Sequence, residues 1–381
     1  MTRTGVVAIA LGVSLAGPLG AQSSQFGVRG LGLPSLPVSA RSHGAGGALG
    51  FFDQESSINP ASVIGITRPT ASFNVLQSWR SSENPYGDAT GRDTHFPLFF
   101  AGGSINSRMS GSLSASVYTD RTFGLAFQQP VELRGESVLA TDTLTSKGGI
   151  TDLRGALAYA FSPRLVVGVG LHLLTGINRV EYRRHFDDSA YAAVRLVNEV
   201  SYSGAGVSLG AMAEPIRSRL QLAGFVRFDG DLGVDRNDED TGELSMPQTL
   251  GVAAQLTPSR RLILAAHLIR QSWSRMDQDL RERDGAGAVN TQAAAFGLEW
   301  LRDGERSGRF PIRAGVRWAE LPFRLTTDDA AGREYGVSIG TGFLFAGGRG
   351  TFDLALERVW RDEGAFTERM MGLKLGIGLR Q

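Results

Sequence analysis

From about residue 67 to the end of the chain, apolar residues fall at every second position in one segment after another. The last segment is the plainest. Met371, Leu373, Leu375, Ile377 and Leu379 lie on one side of an extended chain, with Gly372, Lys374, Gly376, Gly378 and Arg380 on the other. Side chains alternate across a strand with a period of two, whereas a helix repeats near 3.6, so the pattern predicts strand. The same alternation runs through 335–345, 312–319 and 165–174. Fourteen such segments are predicted, at 67–78, 96–105, 111–127, 151–161, 164–184, 191–210, 218–229, 245–256, 261–275, 290–301, 311–323, 334–345, 350–360 and 367–380. No helical stretch of crossover spacing separates them, so their order reads as an antiparallel meander.

The links between segments add a second regularity. Short links at 106–110, 162–163, 257–260 and 346–348 alternate with long polar ones at 80–95, 129–150, 230–244 and 276–289. Transmembrane barrels have short turns at the periplasmic end and long loops outside, and an even strand number leaves both termini on the short-turn side. Lipid cannot satisfy an open sheet edge, so such a sheet must close on itself. Each segment reaches the ~9–11 residues that a tilted crossing needs. The expected fold is therefore all-β: a 14-stranded antiparallel transmembrane β-barrel. An arginine on the lipid face at the midplane costs about 2–4 kcal/mol. Arg154, Arg227, Glu299, Arg313, Arg317, Glu357 and Lys374 are accordingly expected to face inward as an ion-paired network. Trp79, Trp273, Trp300, Trp318, Trp360, Phe96 and Phe366 stand near strand ends, where interfacial aromatic belts form.

The start of the chain differs. Arg3, an apolar run over 6–16 and small residues up to Ala21 form a secretory signal over 1–21, with cleavage expected before Gln22. Residues 22–66 are rich in Gly, Ser, Pro and Ala and hold neither period. They would be disordered as an exposed tail, or enclosed by something larger. The barrel is assigned to 67–381. The chain holds 50 glycines and no cysteine, and its formal charge is +1. That excludes disulfides and cysteine metal sites, and the near-neutral charge speaks against a nucleic-acid partner. The histidines are scattered with no metal-ligand spacing, so no metal or cofactor is expected. All basic residues except Lys147 and Lys374 are arginine. His185, Asp187, Asp188 and Ser189 form the one grouping suggestive of a nucleophile and its base, of a kind that arises by chance in a polar loop. No enzyme is expected.

Four stretches carry a resemblance. The glycine-rich SARSHGAGGALGFFDQESSINPA at 39–61 ends in Asn59, Pro60 and Ala61. Phe96-Pro97 opens a strand that is followed by GSLSASVYTDRTFGLAFQQP at 111–130. Thr151-Asp152 leads into AYAFSPRLVVGVGLHLLTG, and FPIRAGVRWAELPF occupies 310–323. In these the chain resembles the outer-membrane hydrophobic-compound transporters of the long-chain fatty acid transporter family, OmpP1/FadL-like. The resemblance implies that 22–66 is an N-terminal luminal hatch. It implies diffusion of hydrophobic small molecules such as fatty acids across the outer membrane, with exit through the hatch or a lateral opening. Phe26, Phe51 and Phe52 would contact cargo or pack the hatch against the wall. Pro60 would fix the chain before it enters the first strand, and Asn59 stands with it among the ligand-pathway or hatch residues. Residues 129–149 are polar and lack the long apolar excursion of fatty acid transporters. Alternative roles are a PorV-like barrel in protein secretion and a general porin-like or structural protein. Expected partners are hydrophobic small molecules, outer-membrane lipids and lipopolysaccharide, and the barrel assembly machinery, with the barrel itself a monomer.

Overall fold

Alternation of apolar and small or polar residues gives each strand one face for lipid and one for an interior. A computed structural model describes residues 24–85, 87–188, 190–237, 239–284, 287–301, 310–326 and 330–381. The expected signal peptide, residues 1–21, and Ser189 lie outside these. Fourteen strands close the wall: Thr70–Asn84 (β1), Gly87–Asn106 (β2), Met109–Asp120 (β3), Glu136–Ser162 (β4), Leu165–Phe186 (β5), Val194–Ile216 (β6), Leu220–Asp229 (β7), Gln248–Ser259 (β8), Leu262–Gln271 (β9), Thr291–Trp300 (β10), Ile312–Glu320 (β11), Arg333–Phe345 (β12), Gly350–Glu363 (β13) and Phe366–Arg380 (β14). Each pairs antiparallel with its neighbour. β14 returns to β1, from Thr367 opposite Glu83 to Arg380 opposite Thr70. The outward positions carry exposed apolar side chains strand after strand, among them Leu171, Leu209, Leu268, Ile339 and Leu379. A continuous apolar band of this kind belongs in lipid.

The links depart from expectation in an instructive way. The long polar segments are largely strand. Ladder pairing continues past the apolar band, with Arg80 opposite Gly91 and Glu83 opposite Asp88. β4 is 27 residues long and β5 is 22, well beyond a crossing. Above the bilayer the hydrogen-bonded ladder persists but lipid no longer dictates an apolar face, so the alternation fades from the sequence. Residues 230–244 form a hairpin, Asp231–Arg236 with Glu239–Ser245, laid against β6. A short helix, Asp277–Asp284, follows β9. The single strand expected at 111–127 breaks instead. β3 ends at Asp120, and Phe123–Leu133 pairs with β4 alone among the described residues.

Residues 24–66 lie inside the barrel. Ser24 and Gln25 are held at the long-hairpin end by Glu368 and the Thr367 carbonyl. The chain then descends, with Leu33–Pro34 paired to Asp120 and Thr119. Helix Ala40–His43 is capped by the Ser39 hydroxyl, which accepts from the Ser42 amide. Further 3-10 turns span Ala48–Phe51 and Pro60–Gly65. Wall glycines make room for this chain: a Cβ at Gly315 would overlap the Ala45 backbone, and one at Gly210 would overlap the Asn59 amide and Pro60.

Candidate functional site

The seven charged strand residues face the interior as expected, and six of them are at least nine-tenths buried. The seventh, Arg317, bridges Glu334 at 2.9 Å and Glu357 at 2.6 Å. Burying such groups without partners would cost several kcal/mol each. Six of the seven have partners here, and among the described residues Arg154 alone of them makes no hydrogen bond. Arg41 of the inner segment forks onto Glu299 at 2.9 and 2.8 Å, and Arg313 joins Glu299 at 2.7 Å to Asp353 at 2.6 Å. Arg361 links Glu334 to Glu368. Lys374 Nζ donates to the Val38 carbonyl at 2.7 Å, and His43 Nε2 sits 3.1 Å from Glu357. Burial holds the His43 imidazole below its ordinary pKa, against the raising pull of Glu357. This lattice ties the inner segment to β10–β14.

Between the inner segment and the wall lies a cavity of about 280 Å³, which reaches the ionic lattice at Arg317, Glu357 and Lys374. Its body is apolar: Leu36, Val38 and Ile58 of the inner segment face Leu76, Phe225 and Ile269 of the wall. One ladder level nearer the long-hairpin end, the lining turns polar. Arg227, Thr249, Gln271 and Thr291 are register partners across β7–β10 and form a continuous rung. Trp273 and Tyr118 cover this end, with ring centroids 6.3 Å apart.

Two features connect the cavity to the surroundings. First, β2 and β3 pair only from Leu98 opposite Ser116 to Asn106 opposite Met109. Above that level, among the described residues, 87–97 pairs with β1 on one side and with no strand on the other. His95, Pro97 and Tyr118 at this interruption line the cavity. His95 spans it, 2.8 Å from Asp93 and 3.6 Å from Asp120. These three residues are the one metal-capable grouping among the described residues. Each ring nitrogen already faces a carboxylate, so the cluster reads as an ion-paired bridge across the gap. Second, above the cavity Leu125, Leu144, Tyr182 and Leu196 are partners on one face, next to Phe127 and Val194. Phe127 is 51% exposed and Leu196 58%. The segment read as polar at 129–149 therefore helps to build an apolar inner face, because only every second residue contributes to it.

The residues singled out from the sequence sit differently. Phe51 is fully buried against Phe225 and His267, at 5.4 and 5.1 Å between centroids, and Phe52 packs beside the same cluster. Phe26 is buried near Ser24. Asn59 caps the turn Pro60–Gly65, its side chain accepting from the Ala61 amide and donating to the Phe51 carbonyl, and Pro60 takes the first turn position. None of the five lines the cavity among the described residues. Trp273, expected in an interfacial belt, is fully buried. β9 ends at Gln271, and the chain, released from the ladder, folds inward so that the indole meets Phe323 at 5.2 Å. Trp79, Trp300, Trp360 and Phe96 are exposed on the outside. The lining residues Leu76, Arg227, Thr249 and Gln271 had one sequence signal, an inward parity at the upper end of a strand.

These features define a transmembrane β-barrel whose lumen is filled by its own N-terminal segment and retains an apolar cavity. Among solved structures the chain is similar to a Pseudomonas aeruginosa FadL homologue, with a TM-score of 0.66 and 15% identity over 91% of this chain and 99% of that one. It is also similar to the Pseudomonas putida toluene transporter TodX, with a TM-score of 0.59 and 12% identity over 91% and 98% of the two chains. A third neighbour is the CymD monoaromatic hydrocarbon channel, with a TM-score of 0.56 and 13% identity over 90% and 97%. At these identities the likeness is one of fold. No family model and no curated protein matches the sequence.

Proposed function

We propose that the chain is an outer-membrane channel that lets hydrophobic small molecules diffuse across the envelope, with residues 22–66 as its hatch. The observation that carries this reading is the largely apolar cavity that lies between hatch and wall and adjoins the interruption of the β2–β3 ladder. A hydrophobic solute is captured on the exposed inner face around Phe127 and Leu196, moves down to the cavity, and leaves through the interrupted wall or past a shifted hatch. Transfer from water to such patches gains roughly 25 cal/mol per Å² of apolar surface. Conduction needs sites weak enough to release what they hold. The neighbours named for toluene and monoaromatic hydrocarbons support small aromatic cargo, and the cavity volume agrees. Phe26, Phe51, Phe52, Asn59 and Pro60 serve the hatch as packing and turn residues. A closed wall needs no second copy, so the working unit is a monomer. Its apolar band contacts outer-membrane lipid and lipopolysaccharide, and it enters the membrane by way of the barrel assembly machinery.

Uptake of radiolabelled toluene and of a labelled fatty acid by a deletion strain, with and without the restored gene, tests the proposal. Restored, saturable uptake of either solute supports it, and unchanged uptake of both refutes it. Refutation accompanied by a stable complex with secretion components would favour the PorV-like role instead.

A further inference from the structure

The polar rung above the apolar cavity body has hydrogen-bond donors without acceptors. Trp273 is fully buried, and its Nε1–H has no partner. Arg227 is nine-tenths buried, and its NH2 nitrogen is also unpartnered. Both residues line the cavity and pack around the ring of Tyr118, the Arg227 guanidinium carbon standing 5.0 Å from its centroid. A buried donor left unsatisfied costs about 1–3 kcal/mol, so such groups mark where an acceptor belongs. One ladder level below, Phe225, Ile269 and Ala293 offer no polar side chain.

Resting on the channel reading above, we infer that the cargo of this cavity is a small, neutral molecule with an apolar body and one oxygen acceptor at its upper end, such as an aryl ketone. Pure hydrocarbons would leave the donors unsatisfied. Carboxylates are disfavoured by what surrounds the arginine. Arg227 NH1 donates to Asp152 at 2.6 Å and Nε to Asp229 at 2.8 Å, so two carboxylates already hold the guanidinium. Arg154, buried behind the rung and off the cavity, stands beside the first of them, Asp152, and brings the four groups to two positive and two negative charges. The group is thus neutral as a whole and presents a carboxylate cargo with no net positive charge. Across the cavity, Arg80 and its neighbour Arg361 stand among three carboxylates, Glu368, Asp120 and Asp93. An acceptor without charge takes the free donors of Trp273 and Arg227 and adds no repulsion. The ladder order sets the orientation: oxygen toward the long-hairpin end, apolar body toward the hatch.

The test compares 4-fluoroacetophenone, 1-ethyl-4-fluorobenzene and 4-fluorobenzoate by ¹⁹F NMR titration of the full barrel in detergent, with protein-free micelles as reference. The ketone should bind about fivefold to tenfold more tightly than the hydrocarbon, the factor of one net hydrogen bond. Benzoate should bind no better than the hydrocarbon. Trp273→Phe keeps the ring and removes the donor, so it should shrink the ketone's advantage while leaving hydrocarbon affinity near that of the parent. Equal affinity for ketone and hydrocarbon in the parent would overturn the inference and leave the channel reading standing. Benzoate binding as tightly as the ketone would overturn the neutral-acceptor assignment. An undiminished ketone preference in Trp273→Phe would remove Trp273 from the site. Failure of all three probes to bind would overturn the channel reading itself.

Discussion

The two sides of the lumen grip the same inner segment by different physics. On the β10–β14 side the contacts are ionic and chained, from Arg41 and Glu299 through Arg313, and around Glu357, Arg317 and Arg361. On the β4–β9 side they are apolar and close-fitting. There Phe51 and Ile58 pack on Phe225, Ala253 and Ile269, and Asn59 and Pro60 lie against Gly168 and Gly210. A buried ion pair has steep geometry and fails abruptly, whereas apolar contact is non-directional and tolerates small shifts. The cavity touches both sides, with Phe225 and Ile269 on one and Arg317, Glu357 and Lys374 on the other. The difference teaches that one segment can be held by directional ion pairs along one wall and by non-directional apolar contact along the other.

The contrast can be broken at its strongest point first. Glu299→Ala leaves Arg41 and Arg313 without their shared carboxylate, and the loss of such a partner is worth about 3–5 kcal/mol. Trypsin should then cut within residues 24–66 of the folded barrel in detergent, at sites protected in the parent. Continued protection would mean that the ionic side is not the anchor. Gly315→Val places a side chain where the Ala45 backbone runs. It should cost about 1–3 kcal/mol by overpacking and raise ion conductance in planar bilayers as the hatch is pushed aside. A barrel as tight as the parent would show that the hatch shifts freely even there. Asn59→Ala removes a turn cap on the apolar side and should cost about 1 kcal/mol, read as a lower urea midpoint, with ion conductance unchanged. Arg195→Ala removes an exposed pair with Glu181, far from the hatch, and should leave that midpoint where it is, since exposed ion pairs contribute little.

How much of this was legible in the sequence follows from where lipid acts. Across the bilayer every second residue must be apolar, so β14 shows itself in Met371, Leu373, Leu375, Ile377 and Leu379. The inward charges follow by exclusion, and Arg313 and Lys374 stand where that logic puts them. Beyond the bilayer the constraint lapses. The upper halves of β2 and β4 therefore read as loops although their ladders continue. The break after Asp120 is hidden in the sequence because Leu113, Ala115 and Val117 before it and Phe123, Leu125 and Phe127 after it keep the same parity. Trp273 misled for a related reason: position near a strand end does not reveal whether the chain then turns outward or in. The polar rung is a property of four strands in register, and no single stretch of sequence contains it.

The enclosure of residues 24–66 has a consequence for how the molecule is made. Their first described residue sits at the far end of the lumen from the start of β1, and β1 is zipped to β14 along its whole length. A finished cylinder could admit this stretch of chain only end first, from the short-turn side where it joins β1. Laying the segment onto a still-open sheet, before the first and last strands meet, needs no such passage.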